Sequence, residues 1–258
     1  MYQAQSFDHL KGLDRISDGQ LAEHLDLYAG YVKQVNALTR ELTELRTERR
    51  ASGKDFGLAE GTRRLAYEYD GMVLHELYFS NLKPGGAPRP SDRQACGRAL
   101  AQTYGSIDQW QESFKALGSM RGVGWVILFQ DPLTGRLTNF WVSLHQDGIP
   151  ARCAPLLVMD VWEHAFMRDY RATERLRYVE AFFANIDWAT VDQRFGEQQA
   201  LRSSSVARGR RRVEGTVPST GRSGLHLEHV DAADEPVHGV DDAPLVDEHV
   251  VDLHGPGP

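Results

Sequence analysis

The feature that most constrains this chain is a heptapeptide at residues 160–166, which reads Asp-Val-Trp-Glu-His-Ala-Phe. It follows the apolar run Pro-Leu-Leu-Val-Met at 155–159, which predicts a strand. Asp160 and His164 are four positions apart, so both can reach one metal ion from a helix face or from a strand end that enters a helix. A carboxylate beside an imidazole suits Fe or Mn, with Zn as a further candidate. The structural alternative is a helix-terminal carboxylate and a partly buried histidine.

The composition of the chain is that of an ordinary globular protein. Its 258 residues, of which 41% are apolar and 25% charged, could form one large domain or two small ones. The sequence contains no run of eighteen apolar residues and no secretory signal, so we expect no membrane association. The net charge of −7 argues against a nucleic-acid partner. Two cysteines, Cys96 and Cys153, are too few for a disulfide framework and favour reduced thiols in the cytoplasm.

The first half of the chain has helical periodicity. Ser17 is the expected N-cap of a long helix, with Gln20 completing a capping box. An apolar stripe then follows a helical period: Leu21, His24, Leu25, Tyr28, Val32, Val35, Leu38, Leu42 and Leu45. Gly53 and Gly57 bracket the expected break, and a second helix is expected over 58–82. The pattern predicts a helical hairpin that ends at the Pro- and Gly-rich residues 83–90.

The second half mixes helices and strands. Short helices are expected at 91–104 and 107–119, the second capped by Ser106. Strands are expected at 124–129, 137–142 and 155–159, because these runs are apolar and rich in β-branched residues. The predicted fold class is therefore α+β: an N-terminal helical hairpin domain (1–88) and a C-terminal α/β domain with a small antiparallel sheet (89–197).

Residues 198–258 differ from the rest because they contain no Phe, Tyr or Trp. Without aromatic side chains the segment can bury little area against the entropy of ordering, so a disordered tail is expected. Five of the ten histidines lie here, namely His226, His229, His238, His249 and His254. Three alternatives remain for this segment. It could buffer metal ions, it could be an inert tail, or it could be an artefact of the reading frame.

The heptapeptide resembles the C-terminal metal signature of the iron/manganese superoxide dismutase family, whose usual form is Asp-x-Trp-Glu-His-Ala-Tyr/Phe. The resemblance continues through residues 169–170, 178–188 and 191–195, and scattered matches reach back to Ser17. It implies the two-domain fold described above and a centre with three histidines and one aspartate. Asp160 and His164 match two of these ligands without a gap.

The resemblance assigns the other two ligands to the first half. Leu74-His75 matches the family's Asn-His in part, which makes His75 the candidate ligand of the second helix. In the first helix the family's ligand precedes a channel tyrosine by eight residues. Counting back from Tyr31 therefore reaches Glu23 rather than His24. In a regular helix His24 and Tyr31 lie nearly in line, so our hypothesis is that a π-bulge is missing here and that His24 is the ligand.

The resemblance also implies roles around the metal. Tyr31 and His145, with Gln146 as the second choice to His145, would act on the solvent bound to the metal. Trp125 and Trp162 would line the pocket, although core packing explains them equally well. Glu163 would cross a two-fold interface to bond His164 of the other subunit, which fixes the orientation of that imidazole. These assignments imply a homodimer or homotetramer.

The implied reaction converts superoxide to oxygen and hydrogen peroxide at one Fe or Mn ion per subunit. Two other functions are weighed against it. A hydrolytic metal site could use Glu163 as general base, and a non-catalytic structural protein of the same fold could have lost its ligands. Fe or Mn in the purified protein would favour the dismutase, Zn would favour hydrolysis, and no metal would favour the structural protein.

Overall fold

Two long helices form the first half of the chain in a computed structural model, which describes residues 1–47 and 56–214. Helix α1 (Asp18–Thr47) and helix α2 (Phe56–Ser80) pack against each other along their apolar stripes. Both stripes are predicted by the helical period of the sequence. Gly57 lies in the first turn of α2, and Gly53 lies outside the described residues.

The start of α1 differs from the predicted capping box. The hydroxyl of Ser17 accepts a hydrogen bond from the backbone N–H of Gln20 at 3.0 Å, as an N-cap does. The side chain of Gln20, however, does not return to Ser17. Its amide nitrogen donates to the carbonyl of His164 at 2.6 Å, and the backbone N–H of Ser17 donates to Asp169 at 2.7 Å. Asp169 thus accepts the backbone N–H of Ser17, the bond that the side chain of Gln20 would make in a capping box. The side chain of Gln20 instead links α1 to the segment that follows Asp160.

A three-stranded antiparallel sheet forms the second half. Helices α3 (Ala95–Tyr104) and α4 (Ile107–Gly118) precede strands β1 (Gly124–Gln130), β2 (Leu137–Ser143) and β3 (Ala154–Asp160), and the strand order is β2-β1-β3. Every residue of the central strand β1 is buried, which explains its unbroken apolar sequence. A β-bulge interrupts the pairing of β1 with β3 between Leu128 and Phe129, and beyond it Trp125 pairs with Asp160.

Two further helices complete the described chain. Helix α5 (Arg175–Ala184) is followed by α6 (Trp188–Glu214). The tail predicted to be disordered from residue 198 therefore begins inside α6, whose helical pattern continues for seventeen residues beyond the predicted boundary. Residues 215–258, including the five tail histidines, lie outside the described residues. The predicted α+β class, with a helical first half and a small antiparallel sheet, is confirmed.

Buried polar contacts join the helical half to the sheet. The side chain of Asn81, just after α2, bonds the backbone of Val158 in both directions, at 3.0 and 3.1 Å. The guanidinium of Arg194 in α6 reaches Asn81 at 3.1 Å and the carbonyl of Leu156 at 2.9 Å. Burial lowers the pKa of Arg194 to about 10, so the side chain remains charged at neutral pH. These contacts fix the position of β3 along α2, and they therefore also fix the position of Asp160.

None of the helices in the described part of the chain has the length and apolar character needed to cross a membrane.

Candidate metal centre

Four side chains from both halves converge where α1, α2 and the end of β3 meet. His24 comes from α1, His75 from α2, Asp160 from the last position of β3, and His164 from a 3-10 turn at Glu163–Ala165. One ligand atom from each lies within 4.8 Å of all the others. The structure thus brings together the four residues that the sequence assigned to the metal.

Asp160 is the centre of this cluster. One carboxylate oxygen, Oδ2, lies 3.1 Å from Nε2 of His24, 3.0 Å from Nε2 of His164 and 3.6 Å from Nε2 of His75. The other oxygen, Oδ1, accepts the backbone N–H of Trp162 at 2.8 Å. The hydroxyl of Tyr178 donates to the backbone carbonyl of Asp160 at 2.7 Å. The carboxylate is therefore held from behind, with one oxygen left for the imidazoles.

The ring nitrogens of His75 fit the role of a metal ligand. Its Nδ1 lies 2.6 Å from the carbonyl oxygen of Gly71, which can only accept, so Nδ1 holds the ring proton. Its Nε2 then presents a lone pair to the cluster. That atom is fully buried and has no hydrogen-bond partner among the described residues. A buried acceptor without a partner is costly, and a metal ion would satisfy it.

The arrangement of α1 bears directly on the choice between His24 and Glu23. His24 is 2% exposed and points into the cluster, whereas the side chain of Glu23 is 61% exposed and pairs with Arg168. Helix α1 is α-helical throughout, so no π-bulge lies between His24 and Tyr31. The geometry that would contradict the His24 hypothesis, with Glu23 turned inward, is not found.

His164 is the most accessible of the four, with its side chain 26% exposed. It lies in a short turn whose position depends on Gln20, because that amide bonds both the carbonyl of His164 and the backbone N–H of Arg168 at 3.0 Å. The next residue before it, Glu163, is exposed on the protein surface. The predicted contact of Glu163 with a partner subunit involves a second chain and stays a prediction.

The three buried members of the cluster have pKa values shifted toward the forms that bind a metal. Burial lowers the pKa of His24, and burial together with the neighbouring His24 lowers the pKa of His75 well below the ordinary value. Burial alone would raise the pKa of Asp160, but the charge and hydrogen bond of His164 and the hydrogen bond of His24 hold it below its usual range. An anionic Asp160 beside neutral His24 and His75 is the form in which these three residues bind metals.

A hydrogen-bonded pair lies beside the cluster. The hydroxyl of Tyr31 is 2.7 Å from Nε2 of His145, and the indole N–H of Trp125 donates to Nδ1 of His145 at 3.0 Å. Because Trp125 can only donate, Nε2 of His145 carries the ring proton and faces Tyr31. Burial lowers the pKa of His145 to about 4, and burial followed by a hydrogen bond with Tyr67 raises the pKa of Tyr31. Both residues are thus neutral at physiological pH.

His145 and Gln146 are neighbours in one loop, but their side chains make different contacts. Residues Ser143 and Asp147 close a tight turn with paired backbone bonds of 2.8 and 3.1 Å, and Leu144 within it has a φ of 52°. This left-handed conformation is uncommon for leucine. Leu144 adopts it in the turn that directs the side chain of His145 toward Tyr31. The amide oxygen of Gln146 is buried without a hydrogen-bond partner among the described residues, so Gln146 contributes no bond to the Tyr31–His145 pair.

The two predicted pocket tryptophans both contact the histidines. The ring of Trp125 lies edge-on to His75, with centroids 5.0 Å apart, and it is fully buried. The ring of Trp162 stacks on His164 with centroids 5.8 Å apart, and it lies tilted against His145 with centroids 5.1 Å apart. They close the cluster from the sheet side, which keeps bulk water away from it.

Sequence reasoning missed several residues of α2 around the site. A Cβ at Gly71 would lie 2.7 Å from the ring of Tyr31 and 3.2 Å from that of His145, so this glycine makes room for the pair. Tyr67 packs on His145 with centroids 4.5 Å apart, and Arg64 and Glu68 lie on the same side. Their spacing from His75 is the available signal, because positions three to four apart share one helix face.

Three imidazoles and one carboxylate, between a helical hairpin and a small sheet, form a group that could hold a metal ion. The comparisons with known proteins then give the family. Residues 92–194 match the family model for iron/manganese superoxide dismutases, C-terminal domain. The manganese superoxide dismutase of Mycolicibacterium smegmatis is 34% identical over 191 residues, which make up 73% of this chain and 89% of that relative.

Iron enzymes are similarly related. The iron superoxide dismutase of Cupriavidus metallidurans is 38% identical over 170 residues, which make up 65% of this chain and 82% of that protein. The iron superoxide dismutase of Aquifex pyrophilus is 35% identical over 193 residues, 73% of this chain and 89% of the relative. The chain belongs to the iron/manganese superoxide dismutase family, and the resemblance drawn from the heptapeptide is confirmed.

Proposed function

We propose that this chain is a superoxide dismutase that binds one Fe or Mn ion through His24, His75, Asp160 and His164. Two superoxide anions and two protons would give one oxygen and one hydrogen peroxide. The observation that carries the proposal is the buried Nε2 of His75, which has no hydrogen-bond partner in the described part of the chain and lies within 4.8 Å of three other ligand atoms. Nitrogen and carboxylate donors in this combination suit Fe and Mn.

A bound metal ion would supply the one-electron redox chemistry that the disproportionation of superoxide requires. The protein residues control protons and access. Tyr31 is kept as a phenol by its raised pKa, so its hydroxyl holds a proton available to the peroxide product. His145 donates from Nε2 to Tyr31 and is itself fixed by Trp125, which orients the pair. Trp125 and Trp162 exclude water from the sheet side.

The rival functions receive less support from the same residues. A structural protein that had lost its metal would have no need for three buried ligand residues and an unpaired nitrogen on His75, because an unpaired buried nitrogen destabilises the fold. A hydrolase would need a general base aimed into the site, and Glu163 is exposed on the outer surface instead.

Assembly and location complete the proposal. Glu163 lies one residue before His164 on the exposed side of the turn, where a second copy could approach the accessible imidazole of His164. A homodimer, or a homotetramer built from it, would then hold His164 in place. The two free thiols, Cys96 and Cys153, favour a reducing compartment and hence the cytoplasm.

The test is metal analysis of the purified protein together with an assay of superoxide consumption. We expect close to one Fe or Mn per chain and consumption of superoxide by the loaded protein. In the variant His75→Gln both should be lost, whereas His9→Gln, which changes an exposed histidine away from the cluster, should behave like the wild type. Stoichiometric Zn, or a protein without metal and without activity, would overturn the proposal.

A further inference from the structure

A pocket of about 400 Å³ opens to solvent directly above Tyr31. Its floor reaches the metal centre, because the ring of Tyr31 stacks on His75 with centroids 5.1 Å apart. The pocket lies between α1 and α2, and it is lined by Leu27, Gly30, Tyr31, Gln34, Leu38, Arg64, Tyr67 and Glu68. It therefore contains one cation and one carboxylate, both on α2.

Arg64 and Glu68 form an asymmetric ion pair across one helical turn. Nε and Nη2 of Arg64 both approach the same oxygen of Glu68, at 2.7 and 2.6 Å. The side chain of Arg64 is 52% exposed, whereas that of Glu68 is only 6% exposed. The positive end of the pair thus faces the solvent of the pocket, and the negative end lies beneath it.

Tyr67 places this pair over the reaction centre. The guanidinium carbon of Arg64 lies 4.5 Å from the centre of the Tyr67 ring, a cation–π distance. The same ring packs on His145 with centroids 4.5 Å apart. Arg64 is therefore fixed above the aromatic side chain that covers His145, rather than free to move with bulk solvent.

We propose that Arg64 captures the substrate anion at the mouth of the pocket and that Glu68 limits its attraction. This assignment rests on the proposed function, since it concerns how superoxide reaches the centre. An anion that enters the pocket comes closer to the exposed guanidinium of Arg64 than to the buried carboxylate of Glu68. The net interaction is therefore attractive at short range. From farther away the pair acts as a dipole, which weakens the long-range attraction that a lone cation would exert.

The guanidinium of Arg64 lies on the ring of Tyr67, and that ring packs on His145, so the ion pair lies close to the Tyr31–His145 contact. The two members act with opposite sign, so variants of the two should change the capture of the anion in opposite directions.

The test compares kcat/KM of the metal-loaded enzyme at low and at near-physiological ionic strength. At about 0.01 M salt, where charges act over about 30 Å, Arg64→Gln should lower kcat/KM roughly three- to ten-fold and Glu68→Gln should raise it. Near 0.15 M, where the range is about 8 Å, the values should converge toward that of the wild type. The double variant R64Q/E68Q, which removes both charges without leaving Glu68 unpaired, should lie between the single variants.

Arg63 and Glu60 provide matched controls on the same helix. They form an ion pair with side chains 67% and 44% exposed, and neither lines the pocket. Arg63→Gln and Glu60→Gln change the net charge by the same amounts as the test variants, so they should leave kcat/KM and its salt dependence nearly unchanged.

Chemical labelling gives a readout that does not depend on turnover. Phenylglyoxal modifies accessible guanidinium groups, and peptide mass spectrometry can follow Arg63 and Arg64 separately. Azide, a small linear anion, should protect Arg64 from modification and leave Arg63 unprotected. Equal protection of the two would overturn the capture site.

The kinetic outcomes separate this proposal from the one on which it rests. Losses of equal size in R64Q and R63Q, or losses in both R64Q and E68Q that persist at high salt, would overturn the role of Arg64 while the dismutase activity stands. A metal-loaded wild type that consumes no superoxide would instead overturn the proposed function.

Discussion

The helical half and the sheet half hold their proposed metal ligands in different ways. His24 and His75 project from long regular helices, and the packing of α1 on α2 sets their positions. Asp160 and His164 lie at a strand end and in a three-residue turn, where individual hydrogen bonds from Trp162, Tyr178 and Gln20 hold them. Helix packing gives rigidity through many weak contacts, whereas the sheet side depends on a few strong ones.

This difference predicts that the two halves tolerate sequence change differently. In α1 the ligand sits seven residues before Tyr31, and a regular helix still places both on one face. On the sheet side, the spacing from Asp160 to His164 is set by the exit of one strand and by a single turn. A residue gained or lost there would separate the two ligands, since no long helix could restore their common direction.

The largest effect is expected from the sheet side. Asp160→Asn keeps the size of the side chain but removes the charge toward which three imidazoles converge. We expect metal content to fall below one tenth of the wild type and activity to fall by at least about 100-fold, more than removal of an outer-shell partner causes. Elemental analysis and superoxide assays measure both. Asp108→Asn, at an exposed carboxylate paired with Arg89, should change neither.

The helical side is tested by exchanging neighbours on α1. His24→Gln should lower metal content and activity by about ten- to 100-fold, because one ligand nitrogen is lost while the helix remains intact. Glu23→Gln should keep both near the wild type, since Glu23 points outward to Arg168. Loss of metal in Glu23→Gln with retention in His24→Gln would show that the ligand of α1 has been misassigned.

The stability of the metal-free protein should depend on pH through buried histidines in both halves. Unfolded imidazoles take up protons near pH 6.5, whereas burial delays uptake by His145 to about pH 4 and also lowers the pKa of His24 and His75. The unfolded state therefore binds more protons in this window, so stability is lost as the pH falls from 6.5 toward 4. Each histidine contributes up to about 1.4 kcal/mol per pH unit.

Urea unfolding at several pH values measures this slope. His145→Gln should reduce the slope by close to one proton, which isolates the contribution of the sheet side from those of His24 and His75. A free energy of unfolding that stays constant between pH 6.5 and 4 would contradict the burial argument for all three.

The smallest effect concerns the contact between the two halves at Gly71. Gly71→Ala should cost about 1–3 kcal/mol, because the added methyl would meet Tyr31 at 2.7 Å and force its ring away from His145. Gly30→Ala is the matched control on α1, since it lines the same pocket but meets nothing within 4 Å. It should stabilise the protein by about 0.5–1 kcal/mol through helix propensity. Thermal unfolding of both variants checks the contrast.

Much of this arrangement could be predicted from local sequence. The helical period locates α1 and α2, and apolar runs rich in β-branched residues locate the three strands, each to within a few positions. Asp160 and His164 are recognisable because they are contiguous. His24 required a choice between two registers, and the regular helix of α1 favours His24 over Glu23.

The remainder depends on contacts between distant segments. Gln20 was expected to cap its own helix but bonds the carbonyl of His164, which lies 144 residues later. His145 and Gln146 are neighbours, and only the turn around Leu144 decides which of them faces Tyr31. The pocket at Arg64 depends on how α2 rotates against α1. No local pattern specifies such long-range choices.

The bulge in β3 has a consequence for how this sheet can change length. Side chains on a strand alternate between the two faces of the sheet. The pairing of β1 with β3 shifts by one residue between Phe129 and Leu128, and with this shifted register Trp125 pairs with Asp160. Loss of the extra residue Leu156 could be absorbed where the ladder is already irregular. Loss of Val158 or Met159 would reverse the alternation and direct the terminal carboxylate to the opposite face. Natural variation in strand length should therefore collect on one side of this irregularity only.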